Sequence, residues 1–150
     1  MSDLIAESYV DLDLAATDRH VATGSLAARL ADDGRVTDLA GFLADVRARE
    51  EQMATGLPGG IGIPHARSRH VTAPTLAFGR SAAGVDFGAE DGPAHLIFLI
   101  AAPEGGDDAH LKILATLARR LMRPEFRQAL LDAHKPADVV DVINSEVVNS

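Results

Sequence analysis

The stretch GLPGGIGIPHARSRH at 56–70 sets one histidine behind more glycine and proline than a turn requires. Glycines stand at 56, 59, 60 and 62, prolines at 58 and 64, and His65 follows directly. A neutral imidazole is a nucleophile or a proton carrier near neutral pH. Pro64 fixes its own φ and biases Ile63 towards extended backbone, so the approach to the ring is stiff. Glycine amides just upstream can face an anion. Ile61 and Ile63 alternate as in a short strand, which puts His65 where that strand leaves its sheet, and strand ends in layered α/β domains are where clefts form. An incidental turn histidine fits the same residues. The stretch alone leaves both readings open.

His110 is the second candidate. Leu111, Leu114, Leu117, Ala118 and Leu121 make a helical stripe, and at about 100° per residue His110 falls within roughly 30° of its centre. It therefore points inward in a first turn, behind an Asp107/Asp108 cap. Unpaired N–H groups and the positive end of the helix dipole gather there, which suits a phosphate as well as a hydrogen-bonded core histidine. Two arginines on an earlier helix are harder to separate. Arg49 lies about 70° from the centre of the Leu39/Phe42/Leu43/Val46 stripe and Arg47 about 90° on the other side. Solvated flank positions account for both. His20, His70 and His134 sit among polar neighbours as surface residues, and His95 opens a strand.

Common sites are missing. There is no GxxxxGK[ST] loop, no GxGxxG after a strand, no GxSxG elbow and no HExxH. With no cysteine and no zinc-like histidine spacing, neither thiol chemistry nor a metal centre is expected. The net charge of −8, without a basic cluster, argues against nucleic acid and anionic membranes.

The elements that must position these residues follow the order helices, strands, helices. A short extended piece runs around Ser8 to Leu12. Thr17 reads as the N-cap of a helix ending before Gly34, and Thr37 as the cap of a second helix reaching about Ala54. Strand-like pieces follow at GIGIPH, TLAFGRS (75–81) and HLIFLIAAP (95–103), the last apolar enough to be covered on both faces. Further helices span 107–122 and open at Pro124 and Pro136. This pattern predicts one layered α/β domain over residues 1–150 with a mixed sheet. No apolar run reaches the ~18 residues of a membrane helix, and the acidic N-terminus is unlike a signal peptide. A cytoplasmic protein with no direct membrane insertion is expected.

In this order RARE (47–50), TGLPGGIGIPHAR (55–67), HLIFLIAAP (95–103) and HLKILATLARRL (110–121) resemble the EIIA component of the mannitol/fructose family of the sugar phosphotransferase system. The resemblance spans essentially the whole chain. It implies a mixed, mostly parallel sheet of about five strands with helices on both faces. It also implies a phosphoryl carrier, which accepts phosphate from the phosphohistidine of the phosphocarrier protein HPr and passes it to an EIIB partner, without cofactor or metal. His65 matches the family's phosphorylated residue, His110 its second active-site histidine and Arg49 its active-site arginine. The resemblance covers two roles: fructose/mannitol-type uptake, and regulation of protein partners by phosphorylation state, as in nitrogen-related EIIA proteins. An unrelated small-ligand binding domain is the third reading.

Overall fold

The computed structural model describes residues 4–105 and 109–148, with side chains except those of 109–111. Among the described residues, six strands form one sheet and five α-helices cover it. The strands are β1 (Val10–Asp11), β2 (Gly56–Leu57), β3 (Ile61–Gly62), β4 (His65–Ser68), β5 (Thr75–Val85) and β6 (Ala94–Pro103). The helices are α1 (Arg19–Asp32), α2 (Leu39–Gln52), α3 (Ala109–Leu121), α4 (Pro124–Leu131) and α5 (Pro136–Ile143). None is long and apolar enough to cross a membrane.

β6 organises everything else. It pairs antiparallel with β5 through a register that sets Phe78 opposite Phe98, their rings 5.1 Å apart and tilted. On its other edge β3 and β4 both run parallel to it, β3 beside Leu96 and Ile97, β4 beside Ile100 to Pro103. β1 adds in parallel outside β5, and β2 antiparallel outside β3. The sheet is thus mixed, with three parallel pairings and two antiparallel ones, of which β5–β6 is the long one.

Alternation along β6 divides the core between two faces. Ile97, Leu99 and Ala101 pack with Leu26, Leu30, Phe42 and Val46 of α1 and α2. Leu96, Phe98 and Ile100 pack with Leu117, Leu121, Phe126, Leu130, Val139 and Ile143 of α3, α4 and α5. Burial on both faces is why the segment reads as an unbroken apolar run. Arg80 of β5 ties one layer down, donating to the carbonyls of Leu12, Leu131 and Ala133 at 3.2, 3.0 and 2.7 Å.

Helix starts differ by one residue from the sequence expectation. Asp18, not Thr17, caps α1, its carboxylate accepting from His20 and Val21 N–H at 2.8 and 3.1 Å. These bonds, Val21 first, hold its pKa below the ordinary value. Asp38, not Thr37, caps α2, because the Thr37 N–H and hydroxyl are both spent on the His70 carbonyl. Pro124 and Pro136 open α4 and α5 as expected. The Asp107/Asp108 cap lies outside the described residues.

Candidate functional site

His65 is the first residue of β4, at the break between β3 and β4. The two strands would be one but for Ile63 and Pro64, which step out of the ladder. Pro64 has no N–H, and its carbonyl accepts from Ile100 N–H at 3.0 Å. The Ile63 N–H turns instead to the Thr55 carbonyl at 3.1 Å. The Ile63 carbonyl is left to the His65 ring, whose Nδ1 lies 2.8 Å away. A carbonyl can only accept, so Nδ1 carries the proton and the in-plane lone pair belongs to Nε2. That choice of tautomer is the arrangement a nitrogen nucleophile needs.

The ring is half-buried in a cleft of about 400 Å³ lined by Asp45, Arg49, Gln52, Arg67, Ala102 and Leu114. It is bounded by α2, β4, β6 and α3. Arg49, half-buried in the last turn of α2, donates to the Met53 carbonyl at 3.0 Å, which bends its guanidinium over the end of its own helix. Arg47 is exposed and lines a different cavity, of about 290 Å³, with His20 and Thr23. α2 packs against β4 on one side and α1 on the other, and the two arginines divide between those sides.

His110 belongs to the first turn of α3, four residues before the cleft residue Leu114. Its side chain, and therefore its expected inward direction, lies outside the described residues. The other histidines are accounted for elsewhere. The His95 Nδ1–H donates to the Ser81 carbonyl at 2.8 Å, His70 Nδ1 lies 4.0 Å from the Asp38 carboxylate, and His20 and His134 are exposed.

Residues 3–146 match the family described as the phosphoenolpyruvate-dependent sugar phosphotransferase system, EIIA 2. The chain belongs to this family. It is 47% identical over 118 residues to the fructose-specific EIIA component of Haloferax volcanii, covering 78% of this chain and 76% of that protein. It is 37% identical over 145 residues to the fructose-specific EIIABC component of Bacillus subtilis, covering 96% of this chain. It spans only 23% of that longer relative. Among solved structures, nitrogen regulatory protein IIA-Ntr of Neisseria meningitidis matches with a TM-score of 0.85 at 28% identity, over 93% of this chain and 96% of that one. Phosphoryl transfer is the activity of the family.

In this EIIA protein one residue beside the cleft escaped the sequence reading. Glu50 is 8% exposed, and its carboxylate accepts from the Thr55 N–H at 2.8 Å, the Thr55 hydroxyl at 2.6 Å and Arg19 at 3.2 Å. Thr55 in turn holds Ile63, and Ile63 holds His65. A continuous series of hydrogen bonds therefore runs from Arg19 to the imidazole. The signal was available: Phe42, Val46 and Glu50 recur every four residues, so the acid falls on the apolar stripe of α2. A carboxylate there needs partners, and Thr55 of the TG that follows supplies two of its bonds. Gly56 completes the fit, because a Cβ at that position would lie 2.7 Å from the Ala89 nitrogen.

Proposed function

We propose that His65 of this EIIA protein accepts a phosphoryl group from the phosphohistidine of HPr and passes it to an EIIB partner of the fructose type. The observation that carries this reading is the bond from His65 Nδ1–H to the Ile63 carbonyl, in a cleft that also holds Arg49. The Nε2 lone pair forms a bond to phosphorus while the donor's N–P bond breaks, and the donor nitrogen keeps that electron pair. No proton needs to leave His65: Nδ1 stays protonated, and the Ile63 carbonyl offsets the positive charge that grows on the ring. Arg49 lends fixed positive potential to the equatorial oxygens, with His110 as a second donor from the start of α3. Onward transfer to an EIIB cysteine repeats the step with His65 as leaving group. The site is reached by proteins that dock and depart, so small transient interfaces around the cleft are expected. The 47% identity to a fructose-specific EIIA component favours sugar uptake over the regulatory role.

The test reconstitutes enzyme I, HPr and labelled phosphoenolpyruvate with the protein, then adds a fructose-type EIIB. Acid-labile, base-stable label on His65, lost in His65→Ala and chased to EIIB, is the expected result. Label persisting in a folded His65→Ala protein overturns the assignment. Label that enters but is never passed to any EIIB overturns the uptake role and leaves the regulatory one.

A further inference from the structure

Arg67 has no part in the reading above, yet it stands closer in sequence to the nucleophile than any other cation. β4 alternates: Ala66 and Ser68 are buried beneath it, while His65 and Arg67 share the opposite, more open face. Two residues of strand separate their Cα atoms by about 6.6 Å, within reach of an arginine side chain. Their partners on β6 are Ile100 and Ala102, both in the wall of the same cleft. Opposite Arg67 the wall is only a methyl group, which leaves room above it.

The charges around it point the same way. Among the described residues Arg67 makes no ion pair, whereas Arg19, Arg29 and Arg120 each meet a carboxylate. Asp45, the carboxylate in this cleft, accepts from the Ser68 hydroxyl at 2.6 Å and so is held at the base of the strand. Arg49 lines the cleft from α2 and Arg67 from β4, so the two arginines that share it with His65 come from different elements. A phosphoryl group in flight spreads its charge over three equatorial oxygens, more than one planar fork can serve.

We propose that Arg67 is a second phosphoryl-contacting cation of this cleft, donating to equatorial oxygens of the group carried on His65 Nε2. The proposal rests on His65 being the acceptor. It predicts a contribution from Arg67 whatever molecule brings the phosphate, because its contact is with the transferred group.

Two donors separate the alternatives. Phosphoramidate delivers phosphate without any protein: its P–N bond breaks, ammonia departs with the pair, and the new bond forms at Nε2. HPr delivers it through a docked surface. Initial labelling rates are measured with each donor for the parent chain, Arg67→Ala, Arg67→Lys and Arg69→Ala, with urea midpoints confirming the fold. Loss of one charge-assisted contact slows Arg67→Ala roughly 10- to 100-fold with both donors alike. Arg67→Lys, a point charge without the fork, recovers part of that rate. Arg69, outside β4 and the cleft, is the neutral control. A defect confined to HPr overturns the proposal by making Arg67 a docking residue, and unchanged rates with both donors overturn it outright. Failure of the parent chain to take label on His65 from either donor is a separate result, which removes the acceptor itself.

Discussion

Gly62→Ala asks how tightly the approach to His65 is built. Gly62 lies in β3, opposite Gly56 on one side and Ile97 on the other. A Cβ there would sit 2.6 Å from Cδ2 and 2.7 Å from Cγ of Phe87, where ordinary contact begins at 3.4 Å. Something must therefore yield by about 0.8 Å. Phe87 is 1% exposed and packed in the core beneath α1 and α2, so its ring cannot swing into solvent. Backbone strain is not at issue, because the φ of Gly62 is outside the left-handed region. Overpacking of this kind costs about 2 kcal/mol, with a range of roughly 1–3. For a chain of this size that lowers Tm by about 4–8 °C. The displaced β3 also moves the Ile63 carbonyl, so labelling of His65 slows. Phe87→Leu opens the space the methyl needs. In the double variant, stability should exceed the sum of the single effects by about 1–2 kcal/mol, and labelling should recover. Urea denaturation and initial labelling rates of the four proteins are the assay. Additivity within about 0.5 kcal/mol would refute the clash, and a neutral Gly62→Ala would refute the packing that produces it.

Arg49→Ala should slow labelling of His65 by roughly 10- to 100-fold, the loss of one contact to a charged group, while Arg47→Ala stays within about twofold. Equal effects in HPr-driven labelling would undo the division of the two arginines between cavities. Tyr9 supplies a pH test. Burial first, then its hydrogen bond to Asp33, pushes its pKa up from 10.0 to about 12. The folded state thus favours the neutral phenol: the contribution is whole below pH 10 and is lost as pH rises towards 12. At most about 3 kcal/mol is involved, from two pH units. The stability difference between the parent chain and Tyr9→Phe, from urea midpoints, should shrink across that window, and a constant difference would contradict it.

The parts legible in the sequence were those where one local signal sufficed. Eight of the nine residues of HLIFLIAAP are apolar or proline and announce burial on both faces, and prolines announce the starts of α4 and α5. The Ile61/Ile63 alternation finds β3 and sets His65 beyond its exit, but the chain returns to the same edge of β6, so His65 opens β4 instead of leaving the sheet. The missed starts of α1 and α2 show where local signals compete. Thr and Asp are adjacent in both, and both can cap; at α2 the choice is made by the His70 carbonyl, over thirty residues on, which occupies Thr37. β4 itself was unreadable, because HARS carries no apolar alternation. It is a strand because β6 offers it a parallel edge from Ile100 to Pro103. Its being a strand is what gives Arg67 the same face as His65.

The two arginines of RARE make the same point more sharply. Residues two apart on a helix point about 200° apart around its axis, so only one of Arg47 and Arg49 can face a given neighbour. Their angles from the apolar stripe were nearly equal because that stripe reports the core, and the core lies between both flanks. What breaks the tie is the pair of elements at those flanks: β4 beside Arg49, α1 beside Arg47. Glu50 then acquires a second significance. It directly follows Arg49, and its bonds to Arg19 and Thr55 fix the rotation of α2 about its axis at the last turn. A helix turned by one residue, 100°, would bury Arg49 or expose it. The buried acid therefore keeps Arg49 on the cleft side of α2, while through Thr55 and Ile63 it also holds the carbonyl that takes the proton of His65 Nδ1.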